Sequence, residues 1–260
     1  MIQNYQAYVL SLNQYKSSSQ IVTFLTNKSI IQAISHQSKK NSKAFGSDLE
    51  TISKLQINIY EKKENTLSIL KETSIIENYK VLEKSIYSSL AVFYIREVLM
   101  YSAKDFDDRY FILMDKVLNA LSENEKENGE LIVKYISIIL RAFEIKVLHI
   151  AGLSPELKSC IMCGNKDIKE YYYAIIDGGI LCEKCRALSK YFIKITNDDL
   201  NFMRIIKYST LIEIATNKDL ISYYNNSIYN VRDIMIKSIN NHIHREIKSL
   251  KVLEDILFTI

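Results

Sequence analysis

Between Tyr5 and about Ser74 the apolar positions fall in short runs, several of them with a period of two. The runs "YVLSL" and "QIVTFLT" are rich in β-branched and aromatic residues. The polar turn "TNKS" leads from the second into "IIQAIS", which predicts a hairpin. "SKLQINIY" alternates cleanly, with Leu55, Ile57 and Ile59 on one face and Lys54, Gln56 and Asn58 on the other. After the polar turn "EKKEN" comes "TLSILKET". About five short strands result, enough for a small barrel of the oligonucleotide-binding (OB) or the SH3-like kind.

Past Ile76 the period lengthens. Residues 81–102 carry Leu82, Ile86, Leu90, Phe93 and Val98 at helical spacing, and 106–124 and 131–150 follow the same rule. Asp105 is the expected N-cap of the second of these helices. Helical patterns resume at "NDDLNFMRIIKYS" and at "IYNVRDIMIKSINNHIHREIKSLKVL". Between the helical stretches lies a segment of different character, which reads as an insertion.

That segment holds all four cysteines of the 260-residue chain, as "CIMCGN" (160–165) and "CEKC" (182–185). Eighteen residues separate Cys163 from Cys182, within the spacing of a four-cysteine zinc site. Each Cys-x-x-Cys can wrap a tight knuckle, and Gly164 can take the positive φ such a turn needs after the second ligand. Cys160, Cys163, Cys182 and Cys185 would close a tetrahedron around structural Zn²⁺ and leave no position for a reactive water. A redox dithiol is the competing reading, although it ordinarily uses one exposed pair at a helix start. "YYYAIID" followed by "GGIL" predicts a short hairpin between the knuckles.

Charge adds a direction. The net charge is only +4, but residues 1–80 hold ten lysines against six acids, and 1–46 hold five lysines and no acid. A cationic end points to an anionic polymer as partner. In "HQSKKNSKAFGSD" (36–48), Lys39, Lys40 and Lys43 sit beside Phe45; Tyr15 and Lys16 repeat the pairing of ring and cation after the first strand. Lysines on loops neutralise phosphates and an aromatic ring can stack a base. Phe45 as a lid on the barrel core, with solvated lysines around it, is the structural alternative.

Other chemistry is scarce. No Walker A loop, Gly-x-Ser-x-Gly or Gly-x-Gly-x-x-Gly occurs, so nothing supports an enzyme. His149 lies on an apolar helical stretch and reads as packed; His242 and His244 read as part of a solvated face. Asp107, Asp108, Asp198 and Asp199 read as capping groups. There is no secretory signal, and no apolar run reaches the roughly 18 residues of a membrane span, so a soluble cytoplasmic protein is expected.

Strands, then helices, then a four-cysteine knuckle among further helices is an unusual order, and several segments resemble the RecO family of bacterial DNA repair mediators. "AYVLSLNQYKSSSQIVTFLTNKSIIQAIS" is similar to the family's opening strands, "SKAFGSDLETISKLQINIY" to its Ser-Lys/Arg-x-Phe-Gly loop, and "FYIREVL" to its first helix. The most specific block is "LRAFEIKVLHIAGLSPELKSCIMCGN", in which Pro155 is the single proline of the chain; "GGILCEKC" is similar to the second knuckle. "SHQS" and Thr51-Ile52 depart from the Lys/Arg-Gly-Ala and Pro-Phe steps around the family's basic loop.

The resemblance implies an α+β fold: an N-terminal five-stranded OB-type β-barrel (1–79), an α-helical domain (80–260), and a zinc-binding insertion (154–190) within it. It implies a nucleoid-associated mediator that binds single- and double-stranded DNA, anneals complementary strands, and works with RecR and the single-stranded-DNA-binding protein to load recombinase. Arg141 and Phe143 are then the candidates for docking a partner's tail. A zinc-ribbon protein of RNA or the ribosome is the alternative.

Overall fold

The computed structural model describes residues 1–16, 19–36, 48–61, 67–103, 107–127 and 129–257. The chain divides into two compact units, Met1–Leu118 and Asn119–Ile260.

In the first unit, five strands close a barrel: β1 (Ile2–Lys16), β2 (Ser19–Thr26), β3 (Ile30–Ser35), β4 (Ser53–Tyr60) and β5 (Ser68–Asn78). The order around the barrel is β1-β2-β3-β5-β4, with β1 also paired to β4. Such a non-sequential order with a parallel β3–β5 contact is no simple meander, and belongs to the OB-type Greek-key barrel. The expected five strands and the β2–β3 hairpin are present. β1 is much longer than the predicted "YVLSL", and register shifts after Val9 and Gln14 let one strand bend across two neighbours.

Alternation determines what fills the barrel. Leu55, Ile57 and Ile59 of β4 are fully buried and meet Tyr5, Ala7 and Val9 of β1, Val22 and Phe24 of β2, Ala33 of β3 and Leu70 of β5. Each of the Val, Leu, Ile and Phe side chains contributes about 1.5–3 kcal/mol by leaving water.

A 3₁₀ turn (Lys80–Glu83) leads into α1 (Ile86–Ser102), so the helix predicted from 81 begins five residues later. Ser85 is its N-cap, accepting from the Ser88 amide. α1 and the part of α2 (Asp108–Glu123) up to Leu118 pack on the barrel within the same unit. Buried Arg96 of α1 donates through Nη2 to the Thr51 carbonyl (3.2 Å), and Glu83 accepts from the Ile52 amide (2.6 Å). Tyr8 of β1 donates to Asp115 of α2 (2.6 Å), and its ring packs on Phe111. The predicted N-cap Asp105 lies outside the described residues.

The second unit is built on α3 (Glu130–Ile150) and α6 (Ile221–Ile243), with α4 (Asn197–Tyr208) and the short α5 (Leu211–Thr216) packed against them and α7 (Lys248–Leu257) at the end. The helix expected to run unbroken over 228–253 stops at Ile243, where His244 adopts a left-handed conformation (φ 54°, ψ 35°). Histidine is among the residues that enter this region most readily after glycine, and neither Gly nor Pro marked the break. His149 corrects another expectation: it is exposed in the last turn of α3, where a cation suits the helix dipole. Asp199 closes a capping box with Thr196 at the start of α4, the role its sequence predicted.

Candidate metal centre and nucleic-acid interface

Between α3 and α4 the chain forms a small antiparallel sheet of order β7-β6-β8, from β6 (Tyr171–Ala174), β7 (Gly179–Leu181) and β8 (Phe192–Ile195). The β6–β7 hairpin is the predicted one. β8 was not visible in the sequence, because three of its four residues are partly or fully exposed and the run is short.

The hairpin carries one knuckle to the other. The Gly164 amide donates to the Cys160 carbonyl (2.8 Å), Gly164 has φ +73°, and the Cys160 amide donates to the Asn165 carbonyl (2.8 Å). The second knuckle repeats the turn, with the Cys185 and Arg186 amides both donating to the Cys182 carbonyl (3.1 Å). The Ile161 amide donates to the Ile180 carbonyl (3.0 Å), which ties the first knuckle to β7.

As a result the four Sγ atoms lie within 4.8 Å of one another, with Cys163 and Cys182 3.9 Å apart. A tetrahedral ion bonded at about 2.3 Å to four sulfurs requires an edge of about 3.8 Å, so the four thiols fit a closed metal site. Cys160 and Cys182 are buried and Cys163 is exposed. Burial acts to raise the Cys160 thiol, but hydrogen bonds from the Cys182, Cys163 and Met162 backbone outweigh it and hold the thiol at about 6. Hydrogen bonding to Cys163 and Cys182 raises Cys185 to about 12. Binding a cation requires the thiols to give up their protons, so metal affinity at this site falls as pH is lowered.

α4 clamps the near end of this insertion. Arg204 donates to the Leu157 carbonyl through Nη2 (2.6 Å) and Nε (3.0 Å), and Lys207 to the Pro155 carbonyl (2.5 Å).

The other candidate residues are more scattered. Lys39, Lys40, Lys43 and Phe45 lie outside the described residues. Tyr15 is 40% exposed near the end of β1; Lys16 is the last residue of that strand. Cation–ring pairs that the sequence reading passed over stand on the barrel unit. Lys28 lies over Tyr5 (5.6 Å), Lys71 over Tyr60 (5.9 Å) and Lys54 over Phe111 (5.4 Å). Pairs between residues so far apart in the chain have no signature in a linear sequence. Arg141 and Phe143 are both interior, at 2% and 0% exposure. Arg141 is paired through Nη2 with buried Glu144 (2.6 Å).

A closed OB-type barrel, a helical unit and an inserted four-thiol knuckle together define a barrel-plus-helix protein with a thiol knuckle among its helices. The sequence model described as "Recombination protein O N terminal" matches residues 1–79, and that described as "Recombination protein O C terminal" matches 84–251. The chain belongs to the RecO family. It is similar to the "DNA repair protein RecO" of Rhodopirellula baltica, 26% identical over 76% of this chain and 72% of that protein. The protein of the same name from Syntrophus aciditrophicus is 25% identical over 96% of this chain and 95% of its own length. That of Caldicellulosiruptor bescii is 27% identical over 80% and 79%. Among the described residues no helix is long and apolar enough to cross a membrane.

Proposed function

We propose that this chain is a non-catalytic DNA repair and recombination mediator of the bacterial cytoplasm. It binds single- and double-stranded DNA on its barrel, anneals complementary strands, and together with RecR assists recombinase loading on strands coated by single-stranded-DNA-binding protein. The observation that carries this reading is the family match over both barrel and helices, with the expected five-stranded barrel present over residues 2–78.

The mechanism follows from charge. Two complementary strands repel through their phosphates, and lysines that release condensed counterions lower that repulsion without reading sequence. Lys28 and Lys71, held over rings, would supply such charge from the barrel unit. Lys39, Lys40, Lys43 and Lys16 would add to it, with Phe45 and Tyr15 as stacking rings. The knuckle would hold Zn²⁺ through Cys160, Cys163, Cys182 and Cys185, cross-linking the insertion with no open coordination position.

The test is an annealing assay on complementary strands coated with the cognate single-strand binder, with and without this protein. Accelerated annealing that weakens with salt supports the reading. No acceleration, with far tighter binding to structured RNA than to DNA, refutes it. Changing Lys39, Lys40 and Lys43 to Glu should weaken salt-sensitive DNA binding.

A further inference from the structure

The second knuckle runs on into a surface that the zinc site does not need. From Cys182 to Ile195 the chain carries four cations, Lys184, Arg186, Lys190 and Lys194, against the single carboxylate of Glu183. All four cations are exposed, and between them stand Leu188 (68% exposed), Tyr191 (63%) and Phe192 (40%). Side chains this apolar in open solvent, within five residues, are uncommon on a surface with no partner.

The backbone beneath them is rigid. β8 pairs with β6 from Phe192 to Ile195, the Ile175 amide donates to the Tyr191 carbonyl (3.0 Å), and Ser189 donates to Asp177 (2.7 Å). The cations are pre-positioned as well. Arg186 and Lys194 both lie over the Tyr172 ring, at 5.0 and 5.9 Å, and Arg186 Nη1 donates to the Tyr172 hydroxyl (2.6 Å). Phe192 meets the same ring edge-on at 5.6 Å. Glu170 accepts a hydrogen bond from the Tyr172 hydroxyl (2.7 Å) and pairs with Lys194 (3.0 Å), which offsets part of the positive charge and leaves Lys184, Arg186 and Lys190 on the same segment.

We infer that this face of the knuckle is a second binding surface for single-stranded DNA, distinct from the barrel. Tyr191, the more exposed ring, can stack on an unpaired base, and the exposed cations of the segment can meet the phosphates beside it. Alternation of ring and cation is the pattern that holds a single strand without reading its sequence. Four cations in fourteen residues call for an anionic ligand, and an acidic protein segment is the other ligand that would meet them. The identity of the ligand rests on the repair reading above; the location of the surface does not.

The test measures binding of labelled oligothymidylate and of a duplex to the full chain by fluorescence anisotropy over a salt series. Tyr191→Ser should weaken single-strand binding about tenfold, the lower range of about 1–3 kcal/mol for one stacked base. Duplex binding should be unchanged, because its bases are already stacked. Tyr191→Phe should restore the single-strand affinity. Lys190→Gln should reduce the salt slope by about 0.7, one phosphate contact. Tyr191 and Lys190 are exposed, so unchanged unfolding midpoints are expected and serve as the folding control. If both variants match the parent while Lys28→Gln with Lys71→Gln weakens binding, the knuckle surface is refuted and the repair reading stands. If the parent binds neither DNA, the repair reading itself has failed. If Tyr191→Ser spares DNA but lowers capture of the single-strand-binding protein, the surface is a protein dock and the inference is overturned.

Discussion

Arg141 was expected at a docking site, and the structure places it inside α3 in an ion pair with Glu144, at side-chain exposures of 3% and 0%. Removing one partner of such a pair strands a charge in the interior, at a cost of about 3–5 kcal/mol. Replacing both with apolar residues of similar size is often close to neutral. Arg141 also lines a cavity of about 10 Å³ with Ser137, Arg232 and Glu254, room for about one water and too little to replace the lost guanidinium with solvent. Arg141→Met should therefore destabilise α3 by about 3–5 kcal/mol, whereas Arg141→Met with Glu144→Leu should cost much less than the sum of the single changes. Native-state hydrogen exchange of residues 130–150 reads this directly, because about 1.4 kcal/mol is a tenfold change. The single variant should lose between a hundredfold and a few thousandfold of protection. A single-variant loss below about tenfold, or additive effects in the double variant, would refute the buried-pair reasoning and return Arg141 to the list of surface candidates.

Three further outcomes follow. A Cβ at Gly179 would stand 2.4 Å from Ile161 Cγ2 and 3.0 Å from the Glu156 carbonyl, so Gly179→Ala should cost about 1–3 kcal/mol and open the first knuckle, seen as faster reaction of its thiols with a disulfide reagent. The metal centre should bind one zinc per chain and leave all four thiols unreactive; chelation should raise hydrogen exchange over 154–195 and leave the barrel as before, and four reactive thiols in the metal-loaded protein would contradict the site. Partial burial raises the Asp115 carboxyl, but hydrogen bonds from Tyr8 and Lys54 outweigh it and leave the pKa below the ordinary value. Burial, reinforced by Asp115, raises the Tyr8 hydroxyl far above its own. The Asp115 contribution is thus present above about pH 4 and lost as pH falls through its depressed pKa, while the Tyr8 contribution is present below about pH 10 and lost as pH rises beyond it. Tyr8→Phe should flatten the alkaline limb of the stability profile and Asp115→Asn the acid limb.

The barrel was legible because its strands obey a local rule. The alternation of "SKLQINIY" is reproduced residue for residue in the burial of β4. The knuckles were legible for the same reason, since ligand spacing and the positive φ of Gly164 are matters of a few residues. What escaped is non-local. Burial of Arg141 depends on which helices surround α3, and the exposure of His149 on where α3 ends. β8 owes its existence to β6, since "FIKI" has too few residues to announce a strand. The rings under Lys28 and Lys71 come from β1 and β4, strands that lie apart from the lysines in sequence.

The barrel is closed by a contact much shorter than its others. β3 and β5 are joined in parallel through two pairs, Ala33–Ser68 and Ile34–Ile69, whereas the pairing of β1 with β2 runs nearly the length of β2. The residues that meet at this seam are about 35 positions apart in the chain, while the β2–β3 hairpin joins residues separated by a four-residue turn. Contacts of such high order must wait until loop-closure entropy has been met by pairings elsewhere. The hairpins should therefore zip first, and the β3–β5 seam and the still longer-range β1–β4 pairing (Ile2–Tyr60 to Ala7–Leu55) last, which makes barrel closure the step that sets the folding time of the first unit.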